Sequence, residues 1–194
     1  EKKPLAHFYP GTRAYSIATV GCNFRCEWCQ NASISQMPRE REAIMGEEAS
    51  PEDTVGAAKR SGCRSIAYTY TEPTIFFEYA YDTAKVAHEE DIANVFVTNG
   101  YMTSGPGEML DTMDPYLDAA NVDLKAFRDE TYREFVGARL QPVLDSLKRM
   151  KELGIWVEVT TLVVPGINDD EEEIRDAAQF VAEELGPETP WHIS

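Results

Sequence analysis

The feature that most constrains this chain is a regular alternation of short β-branched runs with longer amphipathic stretches. Runs rich in Val, Ile, Thr, Tyr and Phe predict strands at residues 14–19, 65–70, 93–98, 120–124 and 155–164, with a sixth starting near Trp191. Helical periodicity predicts helices at 51–61 and 74–89 and a short one near 107–113. A fourth helix sets Leu140, Val143, Leu144, Leu147 and Met150 on one apolar stripe. A fifth opens at Asp169-Asp170, with Glu171, Glu172 and Glu173 complementing the dipole of its first turn. Its buried stripe is Ile174, Ala177, Ala178, Val181 and Leu185. Strict alternation of β and α elements calls for a parallel sheet with right-handed crossovers. Six such units without a Gly-rich nucleotide fingerprint favour an α/β partial (β/α)6 TIM-like barrel over a doubly wound sheet.

A barrel gathers its functional residues at the carboxyl ends of the strands, and the unusual polar residues fall there. Cys22 follows the first strand, Thr71-Glu72-Pro73 the second, and Thr98-Asn99 closes the third. Asp123 and Lys125 end the fourth, Pro165-Gly166 follows the fifth, and His192 lies on the sixth. Asp123 and Lys125 share strand parity, so both can face the barrel interior. A buried acid and base there must pair or hold a ligand. His7 and His88 read as ordinary histidines of a lead-in segment and a helix end, and Cys63 as a core residue.

The 194 residues fit one domain, or most of one: a core over 14–194 preceded by a lead-in over 1–13. No run of about 18 apolar residues exists, so no membrane span is expected. The formal charge of −16, from 18 basic and 34 acidic side chains, repels phosphate backbones. No nucleic-acid partner is expected, and an RNA-directed activity is disfavoured. The one dense basic cluster, Lys148-Arg149-Lys151, reads as a solvated helix face. Three of the four cysteines lie within residues 22–29, with no secretory signal in view. Such clustering points to a metal or redox site in a reducing compartment, the cytoplasm, rather than to a disulfide framework.

The cysteine segment reads Gly21-Cys22-Asn23-Phe24-Arg25-Cys26-Glu27-Trp28-Cys29. Three thiolates at this spacing can hold three corners of an iron–sulfur cubane, and a missing fourth ligand leaves one iron open to a small molecule. Other readings are a zinc site completed by Cys63 or a distant His, and a non-catalytic iron–sulfur electron carrier with a fourth protein ligand. The segment resembles the CxxxCxxC motif of the radical S-adenosylmethionine superfamily, down to the aromatic Trp28 before the third cysteine. The resemblance implies a [4Fe–4S] cluster on Cys22, Cys26 and Cys29. It also implies reductive cleavage of S-adenosylmethionine to a 5′-deoxyadenosyl radical, which abstracts hydrogen from a substrate.

Further segments extend the likeness. Thr69-Tyr70-Thr71-Glu72-Pro73 stands where the superfamily carries Gly-Gly-Glu-Pro, which implies that Thr71 and Glu72 meet the methionine ammonium; a helix-start carboxylate is the plainer alternative. Val97-Thr98-Asn99-Gly100 resembles a strand end of glycyl-radical activating enzymes, which implies a cofactor contact at Thr98 and Asn99 where a plain turn would also serve. Asn121-Val122-Asp123-Leu124-Lys125 resembles their Asp-Leu-Lys segment, where a structural salt bridge is the other reading. Val163-Val164-Pro165-Gly166 resembles the turn whose preceding residues, Val163 among them, wall the adenine. Trp191-His192 resembles the position that presents a His to the cofactor.

Glu1-Lys2-Lys3-Pro4-Leu5, His7-Phe8-Tyr9-Pro10-Gly11, Cys29-Gln30-Asn31, Glu158-Val159-Thr160-Thr161-Leu162 and Pro190-Trp191-His192-Ile193-Ser194 are similar to one family in particular, the AmmeMemoRadiSam-system radical enzymes. These have long been labelled pyruvate formate-lyase activating enzyme homologues. The resemblance implies further sequence on both sides of this segment. It also implies reduced flavodoxin or ferredoxin as electron donor and association with AMMECR1-domain and Memo-domain proteins; it does not supply the substrate, which is a protein or a small molecule. One departure counts against glycyl-radical activation. True activases carry a His and a Thr-Gly pair after Asp-Leu-Lys, whereas residues 128–137 here contain no His.

Overall fold

The computed structural model describes residues 5–105 and 107–194. Glu1 to Pro4 of the lead-in and Pro106 lie outside the described residues. Six strands form one parallel sheet in chain order: β1 (Ala14–Ile17), β2 (Ser65–Tyr68), β3 (Ala93–Thr98), β4 (Ala119–Asp123), β5 (Trp156–Thr161) and β6 (Trp191–Ile193). Sequential order is what a repeated right-handed crossover produces, because each helix then returns over the same face. The sheet stays open, with β1 and β6 as its edges.

The two faces differ in cover. One carries Ile66, Tyr68, Phe96, Ala120, Val122, Val157 and Val159. These pack against Val55, Ala84, Val143, Leu147, Met150 and Phe180 of the crossover helices in one continuous core. Burying such side chains contributes roughly 1.5–3 kcal/mol each. The polar exception, Asn94, is satisfied: its amide accepts from the Tyr68 hydroxyl at 2.8 Å and donates to the carbonyls of Ala84 and Tyr116. On the other face, Leu5 and Phe8 of the lead-in pack over Ala14, Ala67, Val95 and Ala119 near the amino ends of the strands. The carboxyl half of that face stays open.

The predicted helices appear at Pro51–Arg60, Phe77–Glu89, Met109–Met113, Gln141–Glu152 and Glu171–Phe180. Ser50 and Asp53 form a reciprocal capping box on the first, and Asp170 caps the last by accepting from Glu173 N. Several details depart from the sequence reading: β1 and β2 stop at Ile17 and Tyr68 rather than at 19 and 70, and β4 runs Ala119–Asp123 rather than 120–124. The second helix opens with a 3-10 turn, Pro73–Phe76, because Glu72 caps Thr74 N. β5 ends at Thr161, not 164, because the chain turns away there and the Asn168 amide donates to the Lys125 and Leu162 carbonyls. Ile174 and Ala178 are only half-buried, and Phe180, missed in the stripe, is buried. Short helices at Ala32–Ser35, Met37–Arg41 and Asp129–Thr131, the last running into a π-turn over Tyr132–Val136, were not foreseen. They are too short for periodicity to reveal.

The basic cluster behaves as a solvated helix face, with Lys148 paired to Glu184 and Arg149 to Asp111 and Glu152. Cys63 is half-buried against the core. Among the described residues no helix is long and apolar enough to cross a membrane.

Candidate functional site

The carboxyl ends of β1 to β5 surround a cavity of about 350 Å³. Its walls carry all three clustered cysteines, with Trp28, Thr71, Thr98, Asn99, Asp123 and Lys125 from the predicted set. Residues from opposite ends of the sequence meet here because each lies at, or just past, the end of a parallel strand.

The cysteine loop is held from both sides. Gly21 takes φ +103°, and a Cβ there would stand 2.9 Å from Ile75 Cδ1, so the loop enters where only glycine fits. Arg25 N and Glu27 N donate to the carbonyls of Val136 and Phe135, docking the loop on the π-turn. The sulfurs have donors aimed at them. Phe24 N reaches Cys22 Sγ at 3.4 Å, Asn99 Nδ2 reaches it at 3.8 Å, and Ser35 Oγ lies 3.6 Å from Cys29 Sγ. Burial raises the Cys22 thiol and pushes Cys26 up to about 11, against the opposing pull of Phe24 N on Cys22 and of Lys125 on both. Cys22 and Cys26 as free thiols stay protonated at neutral pH, and metal charge is what turns such groups into thiolate ligands.

The spread of the sulfurs bears on which metal they suit. Thiolates on one tetrahedral zinc lie roughly 3.8 Å from one another, given Zn–S bonds of about 2.3 Å. Among the described residues, the group whose ligand atoms gather within 4.8 Å is not the cysteines but His7, Glu158 and His192. The cysteines ring a larger volume, as a multi-iron cluster requires. Cys63 does not line the cavity; it precedes β2, at the far end of the sheet, so it cannot complete the set.

Asp123 and Lys125 form an ion pair at 2.7 Å, both facing the cavity. Burial lowers the Lys125 ammonium, but Asp123 and the cysteines raise it further, leaving its pKa above the ordinary value. Lys125 is therefore a fixed cation beside the sulfurs. Glu72 is fully buried and is not on the cavity surface. Its carboxylate accepts from Thr98 Oγ1 at 2.7 Å, Asn99 N at 2.7 Å and Thr74 N at 3.2 Å. Burial raises its pKa to about 7 in spite of those donors. Glu72 thus organises the β3 end from behind. Gly100 follows at φ +72°, where a Cβ would stand 2.7 Å from Val122 Cγ1.

Besides Glu72, two predicted residues sit elsewhere. Val163 is half-buried outside the lining, where Leu162 takes the corresponding wall. His192 is also absent from the lining; its Nε2 lies 2.7 Å from Glu158 Oε2. Two further residues of the site were missed, Asn23 behind the wall and Thr160 on it. Asn23 accepts from Asn99 Nδ2 at 2.6 Å and donates to Thr74 Oγ1 and the Tyr101 carbonyl, tying the cysteine loop to β3. Thr160 stands opposite Asp123 in the β4–β5 register, and strand parity in the sequence is a signal that points to it.

The comparisons agree with this geometry. The chain is 47% identical to an uncharacterized protein, MJ0808, of Methanocaldococcus jannaschii; the match covers all of this chain and 56% of that protein. It is 26% identical to a pyruvate formate-lyase-activating enzyme of Clostridium pasteurianum over 89% of this chain and 70% of that enzyme. Among solved structures, Streptococcus suis SuiB bound to S-adenosylmethionine superposes with a TM-score of 0.69 at 16% identity, covering 89% of this chain and 38% of SuiB. The chain thus spans little more than half the length of its 47%-identical relative. The family model for the Radical SAM superfamily matches residues 16–180, which takes in the cysteine loop and strands β2 to β5. The chain belongs to the Radical SAM superfamily.

Proposed function

We propose that this chain is the catalytic core of an enzyme that holds a [4Fe–4S] cluster on Cys22, Cys26 and Cys29 and cleaves S-adenosylmethionine reductively. The observation that carries this reading is the set of three cysteines around one cavity, with N–H and O–H donors directed at two of the sulfurs and the Lys125 ammonium beside them. Hydrogen bonds to sulfur and local charge are the levers by which a protein tunes such a cluster. When bound, the cluster supplies the electron that splits the cofactor into methionine and a 5′-deoxyadenosyl radical.

The chain's own residues bind and orient. Lys125 offers a charge-assisted donor to the cofactor carboxylate, and Asp123 holds that ammonium in place. Thr71, Thr98 and Asn99 present polar groups at the ends of β2 and β3, with Glu72 fixing the latter two. Trp28 and Leu162 supply apolar walls that exclude water. His192 and Val163, outside the lining, are assigned no contact with the cofactor.

We assign residues 14–194 to the core domain and the preceding residues to its lead-in, within a longer protein of the AmmeMemoRadiSam type. Its free cysteines suit a reducing cytoplasm. A reduced flavodoxin or ferredoxin is the expected electron donor. A protein is the expected substrate, with AMMECR1-domain and Memo-domain proteins as the partners to test first. A second reading, activation of a glycyl-radical enzyme, draws support from the activating enzyme among the relatives. Against it, residues 128–137 carry no His and are occupied with docking the cysteine loop.

The test is anaerobic reconstitution of the full-length protein with iron and sulfide, followed by dithionite and S-adenosylmethionine. The expected product is 5′-deoxyadenosine. Formation no greater than in a Cys26→Ala control rejects the reading.

A further inference from the structure

Away from the cysteines, a second group of ligating side chains converges from three distant segments. Glu158 lies on β5, and its side chain has no exposed surface. His192 comes from β6, with Nε2 2.7 Å from Glu158 Oε2. His7 comes from the lead-in, with Nδ1 3.3 Å from the same oxygen. The imidazole rings stack at 5.9 Å, inclined by 28°. One ligand atom from each of the three residues falls within a 4.8 Å group. Nothing in the chemistry at the cysteines uses them.

We propose that His7, Glu158 and His192 form a mononuclear site for a divalent transition-metal ion of the zinc type. Two imidazoles and one carboxylate are a set that zinc accepts as three protein ligands with a further position open to water. The spacing is suitable: ligand atoms about 2.0–2.1 Å from a tetrahedral ion lie roughly 3.3 Å from one another. The His7 contact, at 3.3 Å, already matches that separation, and the closer His192 contact, at 2.7 Å, opens by about half an ångström on loading. The carboxylate is preoriented. Glu158 Oε1 accepts from His7 N at 2.9 Å and from Trp156 Nε1 at 3.2 Å, and Oε2 accepts from Ala6 N at 3.0 Å. Outer donors of this kind hold a ligating carboxylate in place and tune its affinity.

Access is provided for. The His7 side chain is 57% exposed and that of His192 32%, so an ion can enter from the solvent side without unfolding the sheet. Bound there, the ion would strap the lead-in, held at this point by hydrogen bonds to one carboxylate, to the paired strands β5 and β6. The site is independent of the cysteines, so the failure of either assignment leaves the other standing.

The test uses the full-length, cluster-loaded protein with added Zn²⁺, read by metal analysis and by X-ray absorption at the zinc edge. That edge is blind to iron and distinguishes sulfur from nitrogen and oxygen ligands. The expected result is one zinc per chain with nitrogen and oxygen neighbours, an imidazole scattering pattern and no sulfur. In His7→Ala and in His192→Ala the apparent zinc affinity should fall at least tenfold, and in the double variant the zinc should be absent. His7 is largely exposed, so its variant folds and isolates the ligand effect from stability. Sulfur in the zinc shell, or equal zinc in the wild type and the double variant, overturns the proposal.

Discussion

Glu72 and Glu158 are both buried to zero exposure on the same sheet, yet their surroundings drive them in opposite directions. Glu72 lies behind the cavity and meets only neutral donors, from Thr98, Asn99 and Thr74. Burial wins there, and its pKa rises to about 7. Glu158 lies under the lead-in, where burial also works against its charge. Hydrogen bonds from His192, the His7 amide, Trp156 and the His7 ring outweigh it and hold the carboxyl below the ordinary value. Depth alone therefore does not set the charge of a buried acid; the number and polarity of its donors do. The same contrast separates two ends of one sheet face. At one end the buried acid is held by neutral donors behind an open cavity, and at the other it is the centre of an electrostatic clasp on the lead-in.

The strongest way to break this division is to ask whether the ends are independent. Cys26→Ala should abolish cluster absorbance after reconstitution and reduce 5′-deoxyadenosine to background. His192→Ala should reconstitute with the iron content of the wild type. Iron loss in the His192 variant would show that the two ends act as one site.

The next effect concerns pH. The folded protein keeps the Glu72 proton up to about pH 7, whereas an unfolded chain releases it near the ordinary value of 4.5. Stability from this group is thus full below about pH 4.5 and declines as pH rises toward 7. The span is worth up to about 3 kcal/mol at 1.36 kcal/mol per pH unit. Urea unfolding of Glu72→Gln at pH 5 and pH 7.5 should lack that decline. A slope equal to the wild type would mean that Glu72 is not the group responsible.

Glu158 should show the reverse sign. A carboxyl held below its ordinary value contributes stability above that value and loses it as the pH falls through its folded-state value. Glu158→Gln should cost about 2 kcal/mol at neutral pH, since it removes charge-assisted bonds and leaves buried donors poorly matched. It should also expose the lead-in to proteolysis while the core resists. Cleavage spread evenly over the chain would argue that Glu158 supports the whole sheet rather than the strap.

The smallest effect is expected for His7→Ala in metal-free protein. With its side chain 57% exposed, it should lower stability by less than about 1 kcal/mol in thermal or urea unfolding. A larger loss would mean that the ring, and not the backbone amides of Ala6 and His7, anchors the lead-in.

Much of the architecture was legible in the residues. β3 was read at its observed limits, and the stripe of Val143, Leu147 and Met150 faces the core as its spacing required. Alternating strand and helix signals survive because each is a local pattern set by period. Strand ends were less legible: β5 stops where Asn168, seven residues past its last member, takes the Leu162 carbonyl. At the site, residues immediately after strands were easy to place, since parallel topology brings those positions together. Asn23 was missed because nothing local marks an amide as the tie between a loop and a strand, and Thr160 because its parity tells only once β5 is set beside β4.

By itself the sequence determined the parallel α/β plan, the strand-end location of the cysteine loop and the shared parity of Asp123 and Lys125. These follow from periodicity, parity and the order of elements, which act over short stretches of chain. Only the tertiary structure decided which acids are withdrawn from the cavity and which residue each histidine meets. Glu72 turned out to be a support behind the wall, and His192 a partner of His7 and Glu158. Those outcomes depend on which donors arrive from other segments, 26 and 27 residues away for Glu72 and as far as 152 for Glu158, and the strength of a buried electrostatic contact is set by that arrival and by the exclusion of water.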